Sequence, residues 1–335
     1  MDYNDSWTSY SYEYDFWTWK DAPVYLTVIY YFVAITSVVG NVLVLIIFSR
    51  IKRLRTLTNY FLLHQSLVDL LSTLAFSFQY LSPKFYIDPT SISAILFCRL
   101  YWSEFFIWTP VTVSSFNLVA LSLERFFGIV HPVVHRNKFS RGKLWMVFLA
   151  EWLIAAIYMS YWIVLSVQED DYCITSMENP VTSRVMLFFD TMVQTIVPLG
   201  VMAFAYIKIW IALKAKVSPD DPLNTISSHP HDANRTAKWD KARKNVVKTL
   251  CIVFITFLVC WFPMTVYNIL YTCGMPLTFG DNFYLVAVVF SLCNMCVNPI
   301  IYSIQYKQFK KGITRLFCKK KNEGEITIGD PTQTS

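Results

Sequence analysis

The sequence predicts an all-α membrane protein, a bundle of seven transmembrane helices followed by a short amphipathic helix. The first reason is composition: 55% of the 335 residues are hydrophobic and only 16% are charged, which is more apolar than an ordinary soluble domain. The second reason is that seven apolar runs are long enough to cross the core of a bilayer. These runs lie near residues 24–48, 58–82, 98–124, 145–167, 185–212, 246–272 and 282–305.

The distribution of basic residues predicts how the bundle is oriented. Most of the 29 Lys and Arg residues fall in the segments 49–57, 126–144, 208–249 and 306–335. Basic loops of membrane proteins face the cytoplasm, so we expect an extracellular amino terminus and a multi-pass protein of the plasma membrane. The predicted parts are an extracellular tail (1–23), a seven-helix domain (24–305), a membrane-surface helix (306–318) and a cytoplasmic tail (319–335).

Two cysteines on the predicted extracellular side are expected to form a disulfide, because that side is oxidising. Cys98 lies at the outer end of the third run and Cys173 in the loop after the fourth. Closing a loop of this length stabilises the fold by about 4 kcal/mol in the chain-entropy account. Cys273 also lies outside and is expected to remain unpaired.

The amino-terminal tail combines five acidic residues with a single Lys20. It is either a solvated tail or a surface that captures a basic ligand, and the sequence leaves both readings open. Asn4 begins an Asn-Asp-Ser sequon and is a predicted glycosylation site.

The carboxyl-terminal segment carries apolar residues at helical spacing among lysines, namely Phe309, Ile313, Leu316 and Phe317. This pattern is typical of a helix that lies on a membrane surface. Cys318 follows directly and is a predicted palmitoylation site.

Polar residues inside the apolar runs indicate function, because each is expensive to bury in a membrane. Asn298-Pro299 interrupts the last run, where proline removes one backbone hydrogen bond and frees a carbonyl group. The interruption is either a kink kept for packing or a polar site. Candidate partners on other runs are Asp69, Ser114 and Trp261, and Asn41 could join Asp69 and Asn298 in one cluster.

The cytoplasmic end of the third run carries Glu124-Arg125. Taken alone, this pair has an ordinary explanation, since charged side chains at helix ends reach out to the membrane interface.

One such mark occurs in each run, in order. They are Asn41, Asp69, Glu124-Arg125-Phe126, Trp152, Pro198 with Tyr206, Cys260-Trp261-Phe262-Pro263 and Asn298-Pro299-Ile300-Ile301-Tyr302. This set resembles the rhodopsin-like (class A) G-protein-coupled receptors across residues 24–318. The resemblance implies a ligand pocket with Trp261 as the toggle beneath it.

The resemblance also implies two further sites. A sodium and water site would contain Asp69, Ser114, Asn294 and Asn298, and this ion is the only cofactor expected. A G-protein coupling site would contain Glu124, Arg125, Tyr206 and Tyr302. The implied partners are an extracellular peptide, a heterotrimeric G protein, arrestin and membrane lipids, with no nucleic acid.

Two positions argue against familiar subclasses of that family. Ile107 stands where amine receptors carry an Asp, and Leu292 stands where an opsin needs its Schiff-base Lys. The acidic outer surface looks instead like that of a peptide receptor, with somatostatin-, galanin- and opioid-type receptors as the nearest comparison. We therefore expect a cationic neuropeptide as ligand. The candidate ligand-binding residues are Gln79, Glu104, Ile107, Asp190, Gln194, Trp261, Asn268, Tyr271 and Tyr284.

Asp190 or Glu104 is the expected anchor for the ligand's positive charge. The alternative is that neighbouring helices satisfy Asp190, so that it touches no ligand.

The chain departs from the family pattern in three ways. Glu124 replaces the commoner Asp, and Cys98 lies two residues farther from Arg125 than usual. Basic residues also stand at the start of the sixth run, where some relatives place an acid that holds the Arg. They are Lys241, Arg243 and Lys244. An inactive-state clasp to helix six is therefore not expected.

Other classes of function explain fewer of these residues. An ion-coupled transporter could use Asp69, but the sequence shows no convincing internal repeat. A membrane enzyme is not expected, because there is no HExxH motif and no nucleophile–base set at one membrane depth. A non-signalling, scavenger-type receptor of the same fold stays open, although the intact Glu124-Arg125 pair argues against it.

Overall fold

Seven helical spans dominate the computed structural model of the chain. It describes residues 23–51, 56–82, 91–169, 172–175, 180–215, 230–277, 281–305, 309–310 and 312–314. The spans are Val24–Arg50, Leu57–Tyr80, Ile92–Val130, Arg141–Leu165, Val181–Lys214, Val247–Thr272 and Asn282–Gln305. The predicted seven-helix bundle is thus confirmed. Asn4, Cys318 and most of both tails lie outside the described residues.

The third span is irregular at its disulfide-bearing end. It consists of a helix Ile92–Leu96, a π-helical segment Phe97–Trp102 and a helix Phe105–Val130. Glu104 joins the last two pieces with a left-handed backbone, φ 55°, which non-glycine residues rarely adopt. The π-helical segment and the break take up extra chain, which accounts for the long spacing between Cys98 and Arg125.

The fifth and sixth spans also extend beyond their apolar runs. The fifth consists of helices Pro180–Thr191 and Val197–Ala215 around a π-helical segment Met192–Ile196. The sixth belongs to a helix Pro230–Thr272. That helix begins with proline, whose missing N–H costs nothing at a first helical position.

Two short elements connect the spans. A helix Pro132–Lys138 lies between the third and fourth spans. After the fourth span, the strands Ser166–Glu169 and Tyr172–Thr175 pair antiparallel, with Gln168 opposite Cys173. This hairpin was not part of the all-α prediction, and its four-residue strands are too short to give a clear alternating pattern.

The outer surface of the bundle is apolar, as a lipid-facing surface requires. In the fourth span, for example, Trp145, Met146, Leu149, Ile154 and Ile157 are all more than half exposed. The buried interior holds many polar side chains instead, among them Asn41, Asp69 and Glu124. Since the bilayer core offers no water to such groups, they must satisfy one another inside the bundle.

The segment after the seventh span packs back on the first. Phe309 is fully buried, with its ring 5.8 Å from that of Phe48. A side chain at Gly312 would come within 2.5 Å of Ile47. Residues 309–310 and 312–314 are helical, while the full membrane-surface helix over 306–318 stays a prediction.

Candidate functional site

The proline break in the seventh span is satisfied by the first span. Pro299 cannot donate to the carbonyl of Met295, four residues earlier. Ser37 Oγ donates to that carbonyl oxygen at 2.9 Å and Asn41 Nδ2 at 3.0 Å. Gly40 lets the two helices approach, because a Cβ there would lie 2.8 Å from Pro299 Cβ. The side chain of Asn41 thus bonds to the freed carbonyl group, whereas the sequence suggested that it could join Asp69 and Asn298 in one cluster.

Asp69 is the centre of a polar cluster between the second, third and seventh spans. It is 1% exposed. Its Oδ1 accepts hydrogen bonds from Gln65 Nε2 and Ser114 Oγ, both at 3.0 Å, and its Oδ2 accepts one from Asn298 Nδ2 at 2.9 Å. Ser114 and Asn298 were expected here from the sequence, but Gln65 was not. Asn294 is buried on the seventh span, and no described hydrogen bond joins it to Asp69.

The donor set around Asp69 has the chemistry of a site for a hard cation. Such ions prefer carboxylate, hydroxyl and carbonyl oxygens, and Asp69 and Ser114 offer the first two within one hydrogen bond of each other. Among the described residues, no Lys, Arg or His forms an ion pair with Asp69. The Gln65 amide, however, already bonds to both of these residues.

A second polar cluster joins the second, third and fourth spans. His64 Nε2 accepts a hydrogen bond from Trp152 Nε1 at 3.1 Å, and His64 Nδ1 lies 3.1 Å from Asn117 Oδ1. The His64 ring stacks on Phe148, with centroids 4.0 Å apart. Glu151 is buried, and its Oε2 lies 3.5 Å from His64 Nδ1.

Sequence reasoning did not identify His64 and Asn117 as members of a polar cluster. The available signal was only that each is polar inside an apolar run, and that signal names no partner. Asn117 also connects the two clusters, because its Nδ2 donates to Gln65 Oε1 at 2.7 Å.

At the opposite end of the bundle from the disulfide, Arg125 is held by its own neighbour. Its Nε lies 2.5 Å from Glu124 Oε2, and its Nη2 bonds to Glu124 Oε1. The Glu124 carboxylate is fully buried and also contacts His135 Nε2 at 2.9 Å. Thr58 Oγ1 contributes a longer contact of 3.4 Å.

The other two predicted coupling residues are buried near this end. The Tyr206 hydroxyl shares a hydrogen bond of 2.9 Å with Ser122 Oγ, and its ring lies 5.7 Å from that of Phe254. Tyr302 is fully buried in the core. The structure describes no hydrogen bond from either tyrosine to Arg125. The side chains of Lys241, Arg243 and Lys244 lie outside the described residues.

At the disulfide end, Cys98 and Cys173 are bonded, which confirms that prediction. Their Cα atoms are 5.3 Å apart, well within the reach of a disulfide. The bond fixes the hairpin to the π-helical part of the third span. Cys273 is free and exposed, as expected.

The two predicted anchor carboxylates already have hydrogen-bond partners. Glu104 accepts from Trp108 Nε1 at 2.6 Å and from the Tyr80 hydroxyl. Asp190 accepts from the hydroxyls of Tyr158 and Tyr161 on the fourth span. These donors are all neutral, and among the described residues no cationic side chain pairs with either carboxylate.

Three predicted pocket residues end in buried polar atoms that have no partner within the described part of the chain. These atoms are Gln79 Nε2, Gln194 Oε1 and Trp261 Nε1. A buried polar group without a partner costs about 1–3 kcal/mol. A polar ligand or water that bonds to them would recover that free energy.

The remaining candidate pocket residues lie on the third, sixth and seventh spans. Ile107 and Trp261 are buried in one apolar cluster. Asn268 Nδ2 donates to Thr191 Oγ1 at 3.1 Å and links the sixth span to the fifth. The backbone N–H of Tyr284 donates to Asp281 Oδ1 at 2.7 Å, and Tyr271 is half-buried near the end of the sixth span.

Comparison with known proteins finds several receptors that are similar to this chain over most of its length. The bullfrog (Aquarana catesbeiana) substance-P receptor is 28% identical over 300 residues, covering 87% of this chain and 70% of that protein. The human (Homo sapiens) substance-K receptor is 28% identical over 302 residues, covering 86% and 71%. The guinea-pig (Cavia porcellus) cholecystokinin receptor type A is 26% identical over 365 residues, covering 90% and 82%.

A family model described as 7 transmembrane receptor (rhodopsin family) matches residues 40–302. That range includes Asn41 and Tyr302, the first and last of the sequence marks. Since the match covers most of the chain, this protein belongs to the rhodopsin family of seven-transmembrane receptors.

Proposed function

We propose that this receptor binds an extracellular, positively charged neuropeptide and transmits the binding event to a heterotrimeric G protein. The relatives are named for substance P, substance K and cholecystokinin, which supports a peptide ligand. The family is one of receptors, so the chain acts by reception and not by catalysis. Arrestin and membrane lipids are further partners in this proposal.

The observation that supports the signalling step is the ion pair between Arg125 and Glu124. The guanidinium group is partly exposed, whereas the Glu124 carboxylate that holds it is fully buried and also contacts His135. Such a pair can exist in a closed and an open arrangement. A ligand that binds the open arrangement more tightly shifts the population towards it. On activation, Arg125 inserts between the fifth and sixth spans near Tyr206 and Tyr302 and forms part of the G-protein site.

The test is Arg125→Ala, with Arg136→Ala as a matched control. Arg136 is an exposed basic residue on the neighbouring short helix. Cells expressing each variant are screened with amidated and basic peptides and read with biosensors for several G-protein classes. We expect Arg125→Ala to keep surface expression and peptide binding while losing nucleotide exchange. Normal exchange by that variant would contradict the proposal, and peptide uptake without exchange by the wild type would indicate a scavenger receptor.

The charge of the ligand is inferred from the two anchor carboxylates. Glu104 and Asp190 are each held by two neutral donors, so neither charge is compensated by a described cationic side chain. A Lys, Arg or free amine of a peptide supplies that compensation. Truncating one partner of such a desolvated pair costs about 2–5 kcal/mol. Each carboxylate already has two donors, so Asp190 or Glu104 is the anchor, and the two tyrosines on Asp190 support the alternative that the helices satisfy that residue.

Agonist potency separates a pocket anchor from electrostatic attraction at the surface. The variants are Glu104→Gln, Asp190→Asn and a deletion of the first 20 residues, measured at two salt concentrations. Glu169→Gln is the control, because Glu169 is exposed on the hairpin. A large loss in one pocket variant identifies the anchor, whereas a modest, salt-sensitive loss in the deletion identifies surface attraction. An acidic or uncharged agonist would refute the inference.

A sodium ion at Asp69 in the resting state is part of the same proposal. The ion would supply the positive charge that the buried carboxylate lacks, held by Asp69 with Ser114, Asn298 and Asn294. Because the ion belongs to the resting packing, sodium should lower agonist affinity, as linkage requires. Equal sodium dependence of agonist binding in wild type and Asp69→Asn would contradict this part.

The proposed orientation places the disulfide end outside the cell and the Arg125 end inside, in the plasma membrane. It also places Asn4, as a glycosylation site, outside and Cys318, as a palmitoylation site, inside. A tag on the amino terminus should be accessible to antibody on intact cells. Glycosidase treatment should increase the mobility of the wild type but not of Asn4→Gln.

A further inference from the structure

The Gln65 amide lies where a cation at Asp69 would bind. Its Nε2 donates to Asp69 Oδ1 at 3.0 Å and also bonds to Ser114 Oγ. Ser114 Oγ in turn lies 3.0 Å from Asp69 Oδ1. A cation bridging the carboxylate and the hydroxyl would need the position that the amide NH₂ fills. We propose that Gln65 is a built-in competitor of the cation, and that it sets how strongly Asp69 binds sodium.

Hydrogen bonding from the fourth span fixes the orientation of this amide. Trp152 Nε1 can only donate, so His64 Nε2, which lies 3.1 Å away, must accept. The ring proton of neutral His64 is therefore on Nδ1 and points to Asn117 Oδ1. Asn117 Nδ2 then donates to Gln65 Oε1 at 2.7 Å and to the Phe61 carbonyl at 3.1 Å.

Every donor in this chain of hydrogen bonds points towards Asp69. The order runs from Trp152 through His64, Asn117 and Gln65 to the carboxylate, which only accepts. Bonds aligned in this way strengthen one another. Turning the Gln65 oxygen towards a cation would bring two N–H groups face to face at Asn117. The amide is fully buried, so water cannot accept hydrogen bonds from these facing N–H groups. A cation at Asp69 must therefore displace the Gln65 NH₂ group.

This inference rests on the proposed cation site, and the experiment separates the two. Purified wild type, Gln65→Leu, Asp69→Asn and Ser72→Ala are heated in detergent over a range of NaCl concentrations. Choline chloride holds the ionic strength constant. A ligand that binds the folded state raises the unfolding temperature according to its affinity, so no agonist is needed. Ser72 is the control, because its hydroxyl is buried on the same helix but bonds to the Val68 carbonyl.

Leucine is close to glutamine in size and removes the N–H groups that bond to Asp69 Oδ1 and to Ser114 Oγ. We expect the sodium concentration that gives half of the stabilisation to fall at least tenfold in Gln65→Leu. Ser72→Ala should behave as the wild type, and Asp69→Asn should lose the response. Asn117→Leu should also lower the midpoint, because it frees the Gln65 oxygen. Gln65→Met replaces the leucine variant if that protein does not fold.

Two results would overturn the inference, and they differ. If wild type and Gln65→Leu respond to sodium with the same midpoint, and Asp69→Asn does not respond, the cation site stands but Gln65 is not its competitor. If neither the wild type nor the Gln65 variant responds to sodium beyond choline, the cation site itself fails. A response by Gln65→Leu alone supports the inference in its strongest form.

Discussion

The contact between Asn41 and the Met295 carbonyl can be tested quantitatively, because its cause is a single proline. Asn41→Ala removes the donor at 3.0 Å and leaves the carbonyl with Ser37 Oγ at 2.9 Å. A net hydrogen bond contributes about 1 kcal/mol, and a buried group left partly unsatisfied costs about 1–3 kcal/mol. Asn41 Oδ1 is itself buried without a described partner, and the substitution removes that cost. We therefore expect Asn41→Ala to destabilise the receptor by about 1 kcal/mol, the lower end of this range. At roughly 2–4 °C per kcal/mol for proteins somewhat shorter than this one, that is a fall of a few degrees.

The proline supplies the second arm of a double-mutant cycle. Pro299→Ala restores a backbone N–H that can donate to the Met295 carbonyl within the helix, so Asn41 becomes less necessary. Asn41→Ala should then cost about 1 kcal/mol less in the Pro299→Ala background than in the wild type. The substitution keeps the Cβ that faces Gly40, so the close approach of the helices is preserved.

Thermal unfolding in detergent measures all four proteins of this cycle. A thiol-reactive fluorescent dye reports the exposure of Cys260 and Cys296, which are buried in the folded receptor, while the exposed Cys273 gives a constant background in all four proteins. Ser72→Ala again serves as a control for the loss of a buried polar group elsewhere. An equal cost of Asn41→Ala in both backgrounds would refute the reasoning, since Asn41 would then act independently of the proline.

Three further changes have predictable effects on the same unfolding temperature. Glu151→Leu should raise it, because both carboxylate oxygens are buried without a described hydrogen-bond partner and an apolar side chain removes that cost. Unchanged or lower stability would show that Glu151 is satisfied in another way. Gly40→Leu should lower it by several degrees, because even a Cβ would lie 2.8 Å from Pro299, whereas Gly200→Leu should not, as its Cβ position is open. Cys98→Ser should lower it by the equivalent of about 2–5 kcal/mol. A reducing agent should lower the wild type to the same value when unfolding is followed by tryptophan fluorescence, and Cys273→Ser, which keeps the disulfide, should behave as the wild type with and without the reagent.

Much of the fold could be predicted from the sequence because a membrane restricts the alternatives. Backbone polar groups in a bilayer must be satisfied within a helix, so long apolar runs translate directly into spans. The disulfide could be predicted because few cysteines lie on the oxidising side. Asp69, Ser114 and Asn298 could be expected together, since each is a costly polar group and the resemblance placed them near one depth.

The structural features that the sequence did not predict have local physical causes, and a pattern of residue types carries no information about them. Glu104 adopts a left-handed backbone, although nothing about glutamate favours it. Asn41 bonds to a backbone carbonyl, and a carbonyl is present at every residue, so its side chain alone cannot identify the partner. The hydrogen bonds of Gln65 and Asn117 depend on how the second and third spans are rotated about their own axes. A one-residue change in either helix would turn those amides to another face.

The polar interior also connects distant parts of the receptor through hydrogen bonds. Hydrogen bonds run without a break from Trp152 on the fourth span to Asn298 on the seventh. Asn298 immediately precedes Pro299, whose lost hydrogen bond is replaced by the first span. The seventh helix is therefore held by side chains of two neighbours at the point where its own backbone is weakest. A ligand that shifts any of these spans changes which side chains form hydrogen bonds to the seventh helix at that break. Two packings of the bundle can therefore contain the same seventh helix with different hydrogen-bond partners.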